Sequence, residues 1–154
     1  MLNTNPIGAW YYSGKWNIFN SNHSVMPLGA TYMIRFYLQP GPNQFMHRVT
    51  KENTGAEGSY IDNPALNNNP GAQVTILQNY APEVRSPYNL NRFPSAVSYS
   101  TAASSWYIAN VSGDPLSPNT VFNVVVGSGS GNPSAPVPTP APPVPERAVP
   151  EDAG

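Results

Sequence analysis

Three short runs of aromatic and β-branched residues open the chain, at 8–12, 15–20 and 31–38, separated by Ser13-Gly14 and by Pro27-Leu28-Gly29. Runs of this length between turn residues predict strands, and the first two should close a hairpin over the Ser-Gly turn. Residues 40–43, with two prolines and a glycine, end that sheet. Residues 45–50 predict a further strand and 51–59 a polar loop. Residues 61–66 read as one capped helical turn, with Asp62 or Asn63 as N-cap and Pro64 preset in the first turn. Asn67, Asn68, Asn69 and Pro70-Gly71 terminate it, and 72–79 predicts the next strand. After a loop through Pro82 and Pro87, strands are expected at 96–100, 106–110 and 120–126. No window keeps a helical period for more than two turns, so the fold class is all-β, a sandwich or barrel of short antiparallel strands.

The last three strands repeat the first three. Aligning residues 94–124 with 6–34 brings Pro94 to Pro6 and Tyr99 to Tyr11. A two-residue insertion then brings Trp106 to Trp16, Ile108 to Ile18, Asn110 to Asn20 and Phe122 to Tyr32. Such self-similarity governs architecture more strongly than any local signal. It divides the β domain 1–126 into a half-repeat 5–37, an intervening segment 38–92 and a half-repeat 93–126, followed by 127–154.

Side chains two apart on a strand share a face. Both copies keep apolar character at Ala9/Val97, Tyr11/Tyr99, Trp16/Trp106, Ile18/Ile108, Tyr32/Phe122 and Ile34/Val124, which are therefore assigned to the core. On the opposite face Trp10 meets Ser98, Tyr12 meets Ser100, Phe19 meets Ala109 and Asn17 meets Tyr107. An aromatic cluster that one copy does without can be covered by its own chain, contact another subunit, or stack a sugar. Trp10, Tyr12, Asn17, Phe19 and Asn20 are accordingly the candidate ligand or interface residues.

The run Pro6-Ile7-Gly8-Ala9-Trp10-Tyr11, with Gly14-x-Trp16-x-Ile18-Phe19-Asn20 and Met26-Pro27-x-Gly29-Ala30-x-Tyr32, resembles an uncharacterised repeat domain found in tandem in bacterial secreted proteins. The first half of that unit is similar to Ile61-Asp62-x-Pro64-x-Leu66-Asn67-x-Asn69-Pro70-x-Ala72 and Gln78-Asn79-Tyr80. The resemblance spans most of 6–126 and implies a secreted β domain, extracellular or on the bacterial surface, with no catalytic residue to carry over. Against that unit the chain reads second half, first half, second half. A trimmed chain, a permuted domain and strands supplied by another chain all fit this order, and the last would leave open sheet edges as templates for pairing.

Composition narrows the function classes. Only 10% of the 154 residues are charged, the net charge is −1, and no Lys/Arg cluster offers an electrostatic footprint for nucleic acid. There is no cysteine, no apolar run of membrane-spanning length and no signal peptide in this chain, so no membrane insertion is expected. His23 and His47 lack any hydrolytic motif, and the acids Glu52, Glu57, Asp62, Glu83 and Asp114 are scattered. The Asp62, Asn63 and Asn67–69 oxygens lack the regularly spaced acids of calcium loops, so neither metal nor cofactor is expected. After Gly127 a Gly/Ser stretch and then alternating prolines predict an extended tail or linker. The combined expectation is a non-enzymatic extracellular structural or adhesion module that self-associates, as homo-oligomer or fibre, or makes other protein contacts. The alternative is a lectin-like module that binds glycan on the aromatic face.

Overall fold

The computed structural model describes residues 2–35, 41–80 and 90–127. None of these is helical, and they form eight short strands: β1 (Ile7–Tyr12), β2 (Lys15–Asn20), β3 (Gln44–Arg48), β4 (Ser59–Ile61), β5 (Gln73–Asn79), β6 (Ser95–Ser100), β7 (Ser105–Asn110) and β8 (Val121–Gly127). The proline-rich tail, the end of the 31–38 run and the loop through Pro82 and Pro87 lie outside the described residues.

The strands make two sheets, ordered β2-β1-β5-β8-β3 and β4-β7-β6. Alternation along β8 explains the packing. Phe122, Val124 and Val126 are buried on one face, with Phe45 and His47 of β3 and Val74, Ile76 and Gln78 of β5 beside them in register. Ile61 of β4, Ile108 of β7, Leu66 and Leu116 close over that face from the other sheet side. The core is therefore a sandwich built within residues 41–127.

Two elements differ from expectation, besides the 31–38 run, whose described part, residues 31–35, is not in a strand. β4 falls where a loop and a helical turn were expected. It is only three residues long and pairs antiparallel with β7, Ser59 opposite Ile108 and Ile61 opposite Trp106. Gly58 permits the close approach, since a Cβ there would collide with the Ile108 carbonyl oxygen. Residues 64–68 form the expected single turn: Asn67 N donates to Asn63 O at 2.9 Å, and Asn63 caps it, its Oδ1 accepting from Ala65 N at 2.9 Å. The second departure is a parallel pairing, Gly8 with Gln78 and Ala9 with Asn79, which attaches the β1–β2 hairpin to β5.

His47 joins the two sheets. Its Nε2 lies 2.8 Å from Ser59 Oγ, and the Ser59 hydroxyl donates to Asn53 Oδ1 at 2.8 Å, so Nε2 carries the proton. Burial lowers the His47 pKa below its ordinary 6.5, because a charged imidazolium loses solvation there. The depressed folded pKa means that the unfolded chain takes up the proton first. Stability is thus fully present above about 6.5 and is lost as pH falls through the folded value. Urea midpoints measured from neutral to mildly acidic pH should fall in the wild type and fall less in His47→Gln.

Candidate functional site

The repeat is visible in three dimensions as a repeated hydrogen-bond pattern. Asn20 Nδ2 donates to the carbonyls of Ser24 and Val25 at 3.1 and 3.2 Å; Asn110 Nδ2 donates to those of Asp114 and Pro115 at 3.0 and 3.2 Å. Asn3 Nδ2 reaches Asn20 Oδ1 at 2.7 Å, as Asn91 Nδ2 reaches Asn110 Oδ1 at 2.6 Å. Ser21 N bonds Pro6 O and Val111 N bonds Pro94 O, both at 2.8 Å. His23 takes the positive φ of 64° that Gly113 takes at 83° in the corresponding turn. Asn20 is therefore a buried clamp that orders the turn after β2, and its amide hydrogens are committed to the backbone.

What the copies do not share is their place. The β6–β7 hairpin lies in the second sheet and turns Val97, Trp106 and Ile108 into the core. The β1–β2 hairpin instead extends the first sheet from β5. In that parallel pairing Gly8 sits beside inward-facing Gln78, so Trp10 and Tyr12 share the core side of the sheet and Ala9, Tyr11, Trp16 and Ile18 the outer side.

This corrects the core assignment. Ala9 is buried, but Tyr11, Trp16 and Ile34 are 48%, 56% and 54% exposed, against 1% for Phe122 and Val124. The outer face is a half-core with its covering half missing among the described residues. Tyr11 and Trp16 meet edge to face at 5.3 Å, as Tyr99 and Trp106 do at 5.7 Å. Trp106, however, also donates from Nε1 to Asn69 O at 2.8 Å, and among the described residues the turn holding Asn69 has no counterpart over Trp16.

The face nominated from sequence is partly covered from within. Tyr80, whose N bonds Ala9 O at 3.0 Å, packs edge-on to Trp10 at 5.0 Å and to Phe19 at 6.2 Å. The Phe19 ring lies over Gly8, which has no Cβ to displace it. Phe19 thus fills space that Ala96 and Ala109 fill between themselves in the other hairpin. Tyr12 stays exposed, stacked at a tilt on Trp10 at 4.8 Å, and Asn17 is exposed beside it with Nδ2 on Lys15 O at 3.1 Å. Trp10 Nε1 is enclosed without a hydrogen-bond partner among the described residues. A cleft of about 480 Å³ runs past Trp10, Phe19, Tyr80 and His23. Trp10, Tyr12, Asn17 and Phe19 share one face, and Asn20 lies on the other.

The edge of β2 is the remaining feature. Among the described residues β2 has one strand partner, β1. Because the Ser21 N–H points to β1, alternation turns the N–H groups of Trp16, Ile18 and Asn20 to the free side. Among the described residues, eight of the twelve exposed large apolar side chains lie in 2–34, Tyr11 and Trp16 among them. Among the described residues no group of acids and histidines could hold a metal ion, and no helix is long and apolar enough to cross a membrane.

An all-β sandwich carrying a second half-repeat on one sheet edge is the class that fold and site define. The chain belongs to the family described as Domain of unknown function (DUF7452), whose model matches residues 8–126. No curated protein and no solved structure matches the chain.

Proposed function

We propose that the chain is a non-enzymatic structural or adhesion module of the bacterial exterior, acting through protein contacts made by its N-terminal half-repeat. One observation carries this reading: the β2 edge, bare among the described residues, runs alongside the exposed Tyr11/Trp16 face. A single-partner strand offers unspent N–H and C=O groups, and large apolar side chains beside it favour burial by another chain. Few charges oppose such an approach, since only 10% of the residues are charged and the net charge is −1. His47 and Ser59, the His–Ser pair joined by a hydrogen bond among the described residues, are sealed in the sandwich with the hydroxyl proton given to Asn53, so they support the fold instead of a nucleophile.

Isolated chains should therefore self-associate edge to edge. Light scattering coupled to size-exclusion chromatography should show a concentration-dependent dimer or larger species, weakened by Ile18→Pro, which disrupts the β2 edge, and by Trp16→Lys. A monomer at every concentration would remove the self-association reading. The glycan-binding alternative draws support from the enclosed Trp10 indole N–H and the cleft beside it. It requires glycan-array signals that Trp10→Phe abolishes.

A further inference from the structure

The second hairpin shows what covers such a face. β7, the counterpart of β2, is paired on its other side by β4, with Ser59 opposite Ile108 and Ile61 opposite Trp106. The chain then turns over the hairpin: Ser105 Oγ donates to Ile61 O at 3.2 Å, Asn68 N to Ser104 O at 3.0 Å and Trp106 Nε1 to Asn69 O at 2.8 Å. Leu66 and Ala72, from the same stretch, fill the core against Ile108 and Phe122. Four of the five groups that receive this stretch have a counterpart in the first copy, at Ile18, Trp16, Gly14 and Tyr32, while Lys15 stands where Ser105 does and lacks its hydroxyl. The backbone at the end of β2 is in the same state as at the end of β7, because the Asn20 and Asn110 clamps and the turns after them coincide, whereas Phe122 lies in β8 and Tyr32 in no strand.

We infer that the β2 edge and the Tyr11/Trp16 face form a receiving site for a strand-and-turn segment of the kind made by residues 44–76, carried by another unit of the same domain family. In the bound state Ser59- and Ile61-type residues stand opposite Ile18 and Trp16. A carbonyl at the Asn69 position accepts the Trp16 indole N–H, and a Leu66-type side chain closes the half-core of Ile18, Tyr32 and Ile34. An unaltered second copy of this chain is not the occupant, because its own β4 is already spent on its own β7. Edge-to-edge dimers are what two bare receiving sites form when that segment is absent. The inference thus rests on the proposed contact surface and names its partner.

The test joins a duplicate of residues 41–90 directly to Asn3 of the full chain, which reproduces ahead of Asn3 the sequence spacing found ahead of Asn91. Hydrogen exchange followed by NMR should show the Trp16 and Ile18 amides and the Trp16 indole N–H gaining the protection of their counterparts Trp106 and Ile108, with the dimer lost. Placing Ile61→Asp in the duplicate alone should return the Trp16 signals to fast exchange and leave Trp106 protected. Free exchange at Trp16 and Ile18 in the unmodified fusion, whether or not the duplicate folds, overturns the inference. The two failures are separable. A wild type that stays monomeric while the fusion protects Trp16 refutes self-association alone, and a wild type that dimerises while the fusion leaves Trp16 unprotected refutes the segment alone.

Discussion

Phe122→Ala should cost the fold about 3–5 kcal/mol, the range for emptying a fully buried aromatic site. Phe122 is the largest side chain sealed in the core and sits on central strand β8, flanked by His47 of β3 and Gln78 of β5 in register. Neighbours on both strands are fixed by ladders, so the cavity cannot collapse by moving one loop. A domain of this size has on the order of 5–15 kcal/mol in total, so the variant should lie near the edge of folding at 37 °C. Urea unfolding should show a lower midpoint with the slope retained. A loss under about 1 kcal/mol would mean that Phe122 is not packed as described.

The second large effect is a contrast between matched tryptophans. Trp106→Ala should cost ~3 kcal/mol, because it removes a core contact, the indole bond to Asn69 O and the edge-to-face pair with Tyr99. Trp16→Ala removes an equally large side chain from the same position of the other copy, yet should cost less than about 1 kcal/mol in the monomer, since its exposed ring gives up little burial. Midpoints of the two variants in denaturant, taken at a concentration where the wild type is monomeric, make the comparison. Equal costs would mean that Trp16 has a cover within the chain.

Six of the eight strands are legible from short β-branched and aromatic runs between turn residues, and so is the repeat that relates two hairpins. β3 also falls within its expected run, although it ends at Arg48. β4 is not legible, because three residues between Gly58 and a capped turn carry no period. The faces of the first hairpin are legible as two separate sets, but not which set is covered. That is decided by the parallel pairing of Gly8 and Ala9 with β5, a long-range contact that leaves no mark in either strand. Phe19 reads as surplus aromatic surface until Gly8 is seen beneath its ring. Asn20 reads as a surface amide beside aromatics, whereas the repeat partner Asn110 holds the signal that was available: an asparagine kept in both copies at a strand end, where a turn must be clamped.

The hairpin's attachment also sets how the molecule would carry load. β1 holds to β5 through two parallel residue pairs, whereas β5 and β8 share seven antiparallel ones. Tension entering from the N-terminal side meets the weaker seam before it reaches the sandwich. The hairpin can peel away and give slack while residues 41–127 keep their core, so the joint between repeat halves works as a yielding element ahead of a stiff one.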